Sequence, residues 1–305
     1  MKRYILIRLL ESLAAIFVIT VLVFALTHMS GSPVDALLPQ DATQEQIDAL
    51  VSAWGLDQSL PRQYLSFLGN ALQGDFGDSL KWRGYSAMGV VADRLPQTLY
   101  LGGIAVAISV VVALPLGVMA AMRKGGKLDK AAQLFSLFGQ SIPQFWFAIL
   151  LIWFFAVALQ LLPTSGSGSW QHVILPAIAM AWFQIAALSR LTRSAMLEVL
   201  DAEYVKLARV KGVSETRVVW VHALRNAAVV PLTYFGVLAG SVLTGSVTIE
   251  TVFSWPGLGW VAIEAIRARD FPVVQAVVVI FALIYIVCNF LVDILNAYID
   301  PRVRA

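Results

Sequence analysis

The chain has 305 residues, 59% of them hydrophobic and 13% charged, with a mean hydropathy of +0.76. Soluble domains carry about 25% charged residues, so this composition excludes a soluble globular protein and describes a polytopic membrane protein. The net charge of +3 needs no nucleic-acid partner, because the basic residues have a topological use. The single cysteine, Cys288, allows no intrachain disulfide.

A helical span needs about 20 apolar residues. In chain order, 23 uncharged positions lie between Glu11 and Asp35, 28 from Leu95 to Met122, 59 from Ala131 to Ser189, 24 from Asn226 to Ile249 and 22 from Phe271 to Val292. The 59-residue run is too long for one helix. It is interrupted at residues 162–170, rich in Pro, Gly and Ser, a turn composition. It therefore holds two spans, and the count is six: an all-α membrane protein. Sixteen of the 22 Lys and Arg residues fall on one side of that alternation. Arg62, Lys81, Arg83, Arg94, Arg267 and Arg269 fall on the other. The positive-inside rule then places both termini and residues 201–231 in the cytoplasm. The chain divides into an N-terminal tail and first span (1–30), an outer loop (31–94), and a core of five spans (95–305) that carries the 201–231 segment.

The first apolar run could instead be a cleaved signal peptide, with Lys2 and Arg3 before it and the small residues Ser30, Gly31 and Ser32 after it. It is long for that role, and cleavage would leave the charge alternation one span short. Within the outer loop, residues 43–54 begin with a capping-box pattern at Thr43 and Gln46 and predict a short helix. Residues 63–72 predict a second. The loop is too small and polar for an enzymatic domain and reads as a cap over an outer mouth.

Polar side chains inside spans are costly and usually face a bundle interior. Gln140, Ser141 and Gln144 flank Pro143 in the third span, with Trp146 nearby. Pro143 can break its helix and free a carbonyl, which suits a polar passage. These residues read equally as pathway lining or as hydrogen-bonding glue between helices. Asn289 and Asp293, at i, i+4 in the last span, read first as glue. Trp255, Pro256, Gly257, Leu258 and Gly259 interrupt the chain between the fifth and sixth spans. Their turn residues forbid a continuing helix and predict a segment folded back beside the pathway as an outer gate.

Residues 201–231 form the longest charged stretch. Asp201 can N-cap a helix over residues 202–211, with Glu203 in its first turn and Lys206, Arg209 and Lys211 towards its end, matched to the helix dipole. Gly212 follows as the C′ residue. Tyr204, Leu207 and Ala208 share one face at i, i+3, i+4 spacing. Ser214 caps a second helix that runs through His222, Arg225 and Asn226. The first helix either lies on the lipid surface or docks into a partner.

Several chemistries lack their residues. The Gly126-Lys127 pair is not a P-loop, since Ala121 stands where the first glycine belongs and Leu128 where Ser or Thr would hold Mg²⁺. His28, His172 and His222 fall in separate segments without metal-ligand spacing. Ser165, Ser167 and Ser169 beside His172 fit a flexible hairpin as well as a nucleophile. A transporter built this way draws ATP energy from another chain or uses an ion gradient.

The stretches from Leu188 to Leu200, from Glu203 to Ser214 and from His222 to Asn226 resemble the inner-membrane permeases of binding-protein-dependent ATP-binding-cassette importers, closest to the dipeptide, oligopeptide and nickel branch. Residues 63–79, 250–259 and 293–302 agree, so the resemblance covers nearly the whole chain. One departure stands out: Lys206 occupies the glutamate position of the general permease signature and Leu207 its first alanine, while Ala208 and Gly212 match it.

The resemblance implies a type I importer permease bundle of six spans in a bacterial inner membrane, with no catalytic activity and no cofactor or metal of its own. It implies a second permease subunit, paralogous to this one, two ATP-binding subunits that use ATP and Mg²⁺, and an extracytoplasmic solute-binding protein. No nucleic acid takes part. Residues 202–211 would be the coupling helix, with Glu203, Tyr204, Leu207, Ala208, Lys211 and Gly212 at the ATPase. Ser141, Gln144, Trp146 and Asn289 would line the pathway for peptides or a similar small solute. The competing reading is a gradient-driven secondary transporter, which wants ionisable residues at the midplane. Here Glu11, Glu250 and Asp293 lie near span ends.

Overall fold

The computed structural model describes residues 2–29, 43–53 and 55–299. The Ser30-Gly31-Ser32 stretch, Trp54 and the Asp300-Pro301-Arg302 motif lie outside them. Among the described residues the regular structure is helical, and an isolated antiparallel bridge joins Asp78 and Ser86.

In chain order the helices are α1 (Lys2–Met29), α2 (Gln44–Ala53), α3 (Leu60–Leu72), α4 (Ala87–Met122), α5 (Lys127–Ser141) and α6 (Gln144–Leu151), the last continuing as a π-helical stretch, Ile152–Ala158. Then come α7 (Gln171–Leu200), α8 (Glu203–Val210) and α9 (Glu215–Arg217), which passes through π-helical Val218–Ala223 into α10 (Leu224–Ala227). The last are α11 (Val229–Val252), α12 (Leu258–Arg267) and α13 (Phe271–Ile299). Among the described residues four helices are long and apolar enough to cross a membrane: α1, α4, α7 and α13. The bent pair α5 and α6 makes a fifth if counted as one span. The α11 helix adds 24 residues.

The chain forms two compact units. One holds the described residues up to Gln97 together with Gly257–Phe290. Its core packs Ala87, Val90 and Val91 of α4 against Leu258, Val261 and Ala265 of α12 and Val273, Ala276 and Val277 of α13. A buried carboxylate fastens the loop after α3: Asp270 accepts the Ser79 hydroxyl at 2.5 Å and the Lys81 N–H at 3.0 Å. Helix α3 seats on α1, where the Tyr64 and Thr20 hydroxyls meet at 3.0 Å and Phe24 packs edge-on to Tyr64.

The other unit holds Thr98–Pro256 and the described residues from Leu291 on. It is organised around α7, whose Leu175, Ala177, Met180, Ala181, Ile185 and Leu188 are buried. Two glycines set the closeness of its packing. A Cβ at Gly117 of α4 would lie 2.6 Å from Thr192 Cβ, and one at Gly139 of α5 would collide with the Ala186 methyl. Only glycine allows these backbones to approach so nearly. In α11 the Glu250 carboxyl is fully buried and accepts the Thr98 hydroxyl at 2.7 Å.

Candidate functional site: a polar notch and a docking helix

Helix α5 ends at Ser141, and the chain turns by 106° before α6. Ile142 (φ −84°, ψ 124°) and Pro143 (φ −60°, ψ 137°) are both extended. Proline has no N–H for an α-helical bond and disfavours helical backbone in the residue before it, so the break expected at Pro143 is a sharp corner. Gln140, Ser141, Gln144, Phe183, Gly245 and Thr248 line an open notch of about 400 Å³ beside it. All belong to one unit. Gln140 Nε2 donates to the Ser136 carbonyl at 3.2 Å and Ser141 Oγ to the Leu137 carbonyl at 2.9 Å. Among the described residues the Gln144 side-chain amide makes no hydrogen bond.

Of the other expected lining residues, Trp146 is exposed on α6 and is not part of the notch. Asn289 is half-buried on α13 in the other unit, where its amide donates to the Tyr285 carbonyl of its own helix at 2.9 Å.

The segment after α7 departs from expectation at its start. Asp201 does not N-cap α8. It closes α7 with helical backbone (φ −88°, ψ −4°), and the extended residue that opens α8 is Ala202 (φ −70°, ψ 145°), without a side-chain cap. An N-cap needs non-helical backbone so that its side chain can reach forward, and α7 runs on too far to leave Asp201 that freedom. Ser214 does occupy the N-cap position of α9, also without a side-chain bond.

The C-terminus of α8 follows expectation. Gly212 has φ +76°, its N–H bonds to the Arg209 carbonyl at 2.9 Å, and the Val213 N–H bonds to the Ala208 carbonyl at 3.2 Å. That pair of bonds is the Schellman arrangement, which favours glycine in the left-handed position.

Helix α8 turns Val205 inward, fully buried, while Tyr204 stays 45% and Leu207 53% exposed. Ala208 is half-buried and Glu203 and Lys211 are exposed. The helix is tied at two points to the segment that follows it. Asn226 Nδ2 donates to the Tyr204 hydroxyl at 2.9 Å, and the Arg209 guanidinium grips Glu215 through two nitrogens at 3.1 and 2.8 Å. The Arg209 partner pulls the Glu215 carboxyl below its usual range, and Glu215 in turn raises Arg209. Glu203 pairs with Lys206 at 2.9 Å, so the lysine at the signature's glutamate position pairs back onto its own helix.

Of the segment expected as an outer gate, Trp255 is buried, stacks on Tyr100 and donates its backbone N–H to the Glu250 carbonyl oxygen at 2.8 Å. Gly257 N-caps α12, and Leu258 and Gly259, its first residues, are buried.

Sequence reasoning missed a third feature, a buried ion pair at the start of α5. Asp129 is 1% exposed and accepts Arg193 Nε and Nη2, the Gly125 N–H at 2.9 Å and Gln133 Nε2 at 3.0 Å. The only sequence signal is an acidic residue amid four basic ones, which the charge alternation already accounts for.

The model of the binding-protein-dependent transport system inner membrane component matches residues 113–305, and that of the N-terminal domain of the same membrane component matches residues 1–102. The chain is 37% identical over 315 residues to the oligopeptide transport system permease protein AppB of Bacillus subtilis (strain 168), with 100% of each chain covered. It is 38% identical over 305 residues to the glutathione transport system permease protein GsiC of Escherichia coli (strain K12) and of Shigella dysenteriae serotype 1 (strain Sd197), covering 100% of this chain and 99% of theirs.

Proposed function

We propose a division of labour from one premise: the chain belongs to the family of binding-protein-dependent transport system inner membrane components. It is the permease of an importer. It forms a translocation pathway with a second permease subunit and takes solute from an extracytoplasmic binding protein. Two ATP-binding subunits supply the energy on the cytoplasmic side by hydrolysing ATP with Mg²⁺ as cofactor. A gradient-driven carrier finds no support in this family membership. The cargoes named for these relatives, oligopeptides and glutathione, both carry peptide amides, and peptides are the solute class we assign.

In this reading α1, α4, the α5–α6 pair, α7, α11 and α13 are the six spans, and both termini lie in the cytoplasm. Ser141 and Gln144 line the pathway, and residues 255–259 close its outer end. The observation that carries the coupling assignment is the outer face of α8. A short helix between two long apolar ones leaves Tyr204 and Leu207 exposed while the helix is tied to the segment after it through Arg209–Glu215 and Tyr204–Asn226. A rigid helix held this way can pass a partner's rotation to the helices on either side.

The test is Ala208→Glu in the complete transporter. A charge in a packed interface is heavily penalised, so the variant inserts normally, loses co-purifying ATP-binding subunits and stops transport. Transport at the parental rate with the ATPases still bound would sink the assignment and return α8 to the lipid surface.

A further inference from the structure

We propose that the notch at the α5–α6 corner binds the peptide groups of the solute rather than its charged ends, with the Gln144 side-chain amide as the group that reads them. The proposal rests on the reading of this chain as an importer permease for peptides.

The chemistry of the lining selects the ligand class. Among the described residues its polar side chains are Gln140, Ser141, Gln144 and Thr248, and no Asp, Glu, Lys, Arg or His lines it. A carboxylate or ammonium seated in it would meet no opposite charge among the described residues, whereas a peptide group would meet donors and acceptors. A primary amide offers one acceptor oxygen and two donor hydrogens, the complement of a peptide group's N–H and C=O. A lining that reads amides accepts every side chain that fits, because the peptide group is the part that peptides share. Phe183 adds an apolar wall.

Among the described residues the local bonding leaves two side chains of the lining uncommitted, the Thr248 hydroxyl and the Gln144 amide, and only the amide offers two donor hydrogens beside an acceptor. Gln140 spends a donor on the Ser136 carbonyl and Ser141 its proton on the Leu137 carbonyl. The Gln144 amide, at the first position of α6, is uncommitted among the described residues. Its Oε1 lies 2.9 Å from where a Cβ on Gly245 would stand, so the amide lies directly against the α11 backbone. Glycine at 245 is what makes room for it.

This arrangement supplies two independent variants. Gln144→Leu removes the amide and keeps the bulk. Gly245→Ala leaves Gln144 intact and pushes its amide out of place. Alanine suits a helix interior better than glycine and the displaced atom is the end of a flexible side chain, so α11 itself is not weakened.

The experiment uses the assembled transporter, reconstituted in vesicles with its ATP-binding subunits and binding protein. The probes are trialanine and the same peptide N-methylated at its central amide, which removes one donor. Wild-type permease takes up trialanine about tenfold faster at limiting concentration, the scale of one good hydrogen bond. In Gln144→Leu and in Gly245→Ala trialanine uptake falls towards that of the methylated peptide, and the ratio drops several-fold below the wild-type value. The binding protein is the same throughout, so a change in the ratio belongs to the permease. An unchanged ratio in both variants would overturn the notch as a peptide-group site while leaving the importer reading intact. If the wild-type transporter moves neither peptide, the peptide reading fails and the notch assignment falls with it.

Discussion

Arg193 of α7 grips Asp129 of α5 through two nitrogens, Nε on Oδ1 at 2.5 Å and Nη2 on Oδ2 at 2.8 Å. The two residues are 64 positions apart. The pair ties the beginning of α5, whose other end forms the notch, to the last turns of α7, the helix that leads into α8. Breaking a buried pair strands one charge, whereas replacing both partners by apolar residues is often tolerated. Asp129→Asn should therefore lower stability in detergent by on the order of 3 kcal/mol, and Asp129→Leu with Arg193→Met should recover most of it. Chemical denaturation of the purified single and double variants checks this. A double variant no more stable than Asp129→Asn would contradict the ion-pair account.

The glycines of the packed helices separate by what surrounds them. A Cβ at Gly117 would lie 2.7 Å from the Ser189 carbonyl oxygen, and one at Gly139 would strike Ala186, while one at Gly103 meets nothing within 4 Å. Alanine at 117 or 139 forces two backbones apart, an overpacking cost of about 1–3 kcal/mol. Alanine at 103 only restricts the unfolded chain and gains about 0.5 kcal/mol. Thermal melts of the three variants should split in sign, and a uniform shift would show that these crossings are not tight.

Acid should loosen the loop that follows α3. Lys81 pairs with Glu264, and Arg267 adds a second contact at 3.1 Å. The Lys81 ammonium beside it holds the Glu264 carboxyl below its ordinary value of 4.5. A depressed carboxylate stabilises fully above its unfolded value, and that contribution is lost as pH falls through the lowered one. Hydrogen exchange at residues 79–82, corrected for intrinsic rate, should therefore speed up as the pH drops below about 4. In Glu264→Gln that acid-dependent part should shrink, which isolates this pair from Asp270 and the other carboxylates. Identical profiles in both proteins would remove Glu264 from the explanation.

Topology can be read with reporters. The proposed orientation has residues 31–94 outside and residues 123–130 inside, so fusions at Ser66 and Lys127 should report periplasm and cytoplasm respectively. The opposite pattern would overturn the six-span orientation.

By itself the sequence determined what depends on composition and on neighbours along the chain. Uncharged runs marked the long helices because lipid admits little else. Pro143 marked the corner because a missing N–H acts within one turn. Gly212 marked the end of α8 because a left-handed residue is a local demand. The family resemblance was legible for the same reason, since the stretches from Leu188 to Ser214 and from His222 to Asn226 lie close together in the chain.

Only the tertiary structure decided which residues meet across it. Nothing local pairs Ser79 with Asp270, 191 positions away, or turns Val205 rather than Leu207 inward. Arg193 was legible as one more cytoplasmic charge, and its partner was not. That pairing depends on how closely α5 lies against α7. The closeness is set by a missing side chain at Gly139, and a glycine along the chain does not announce what it will touch.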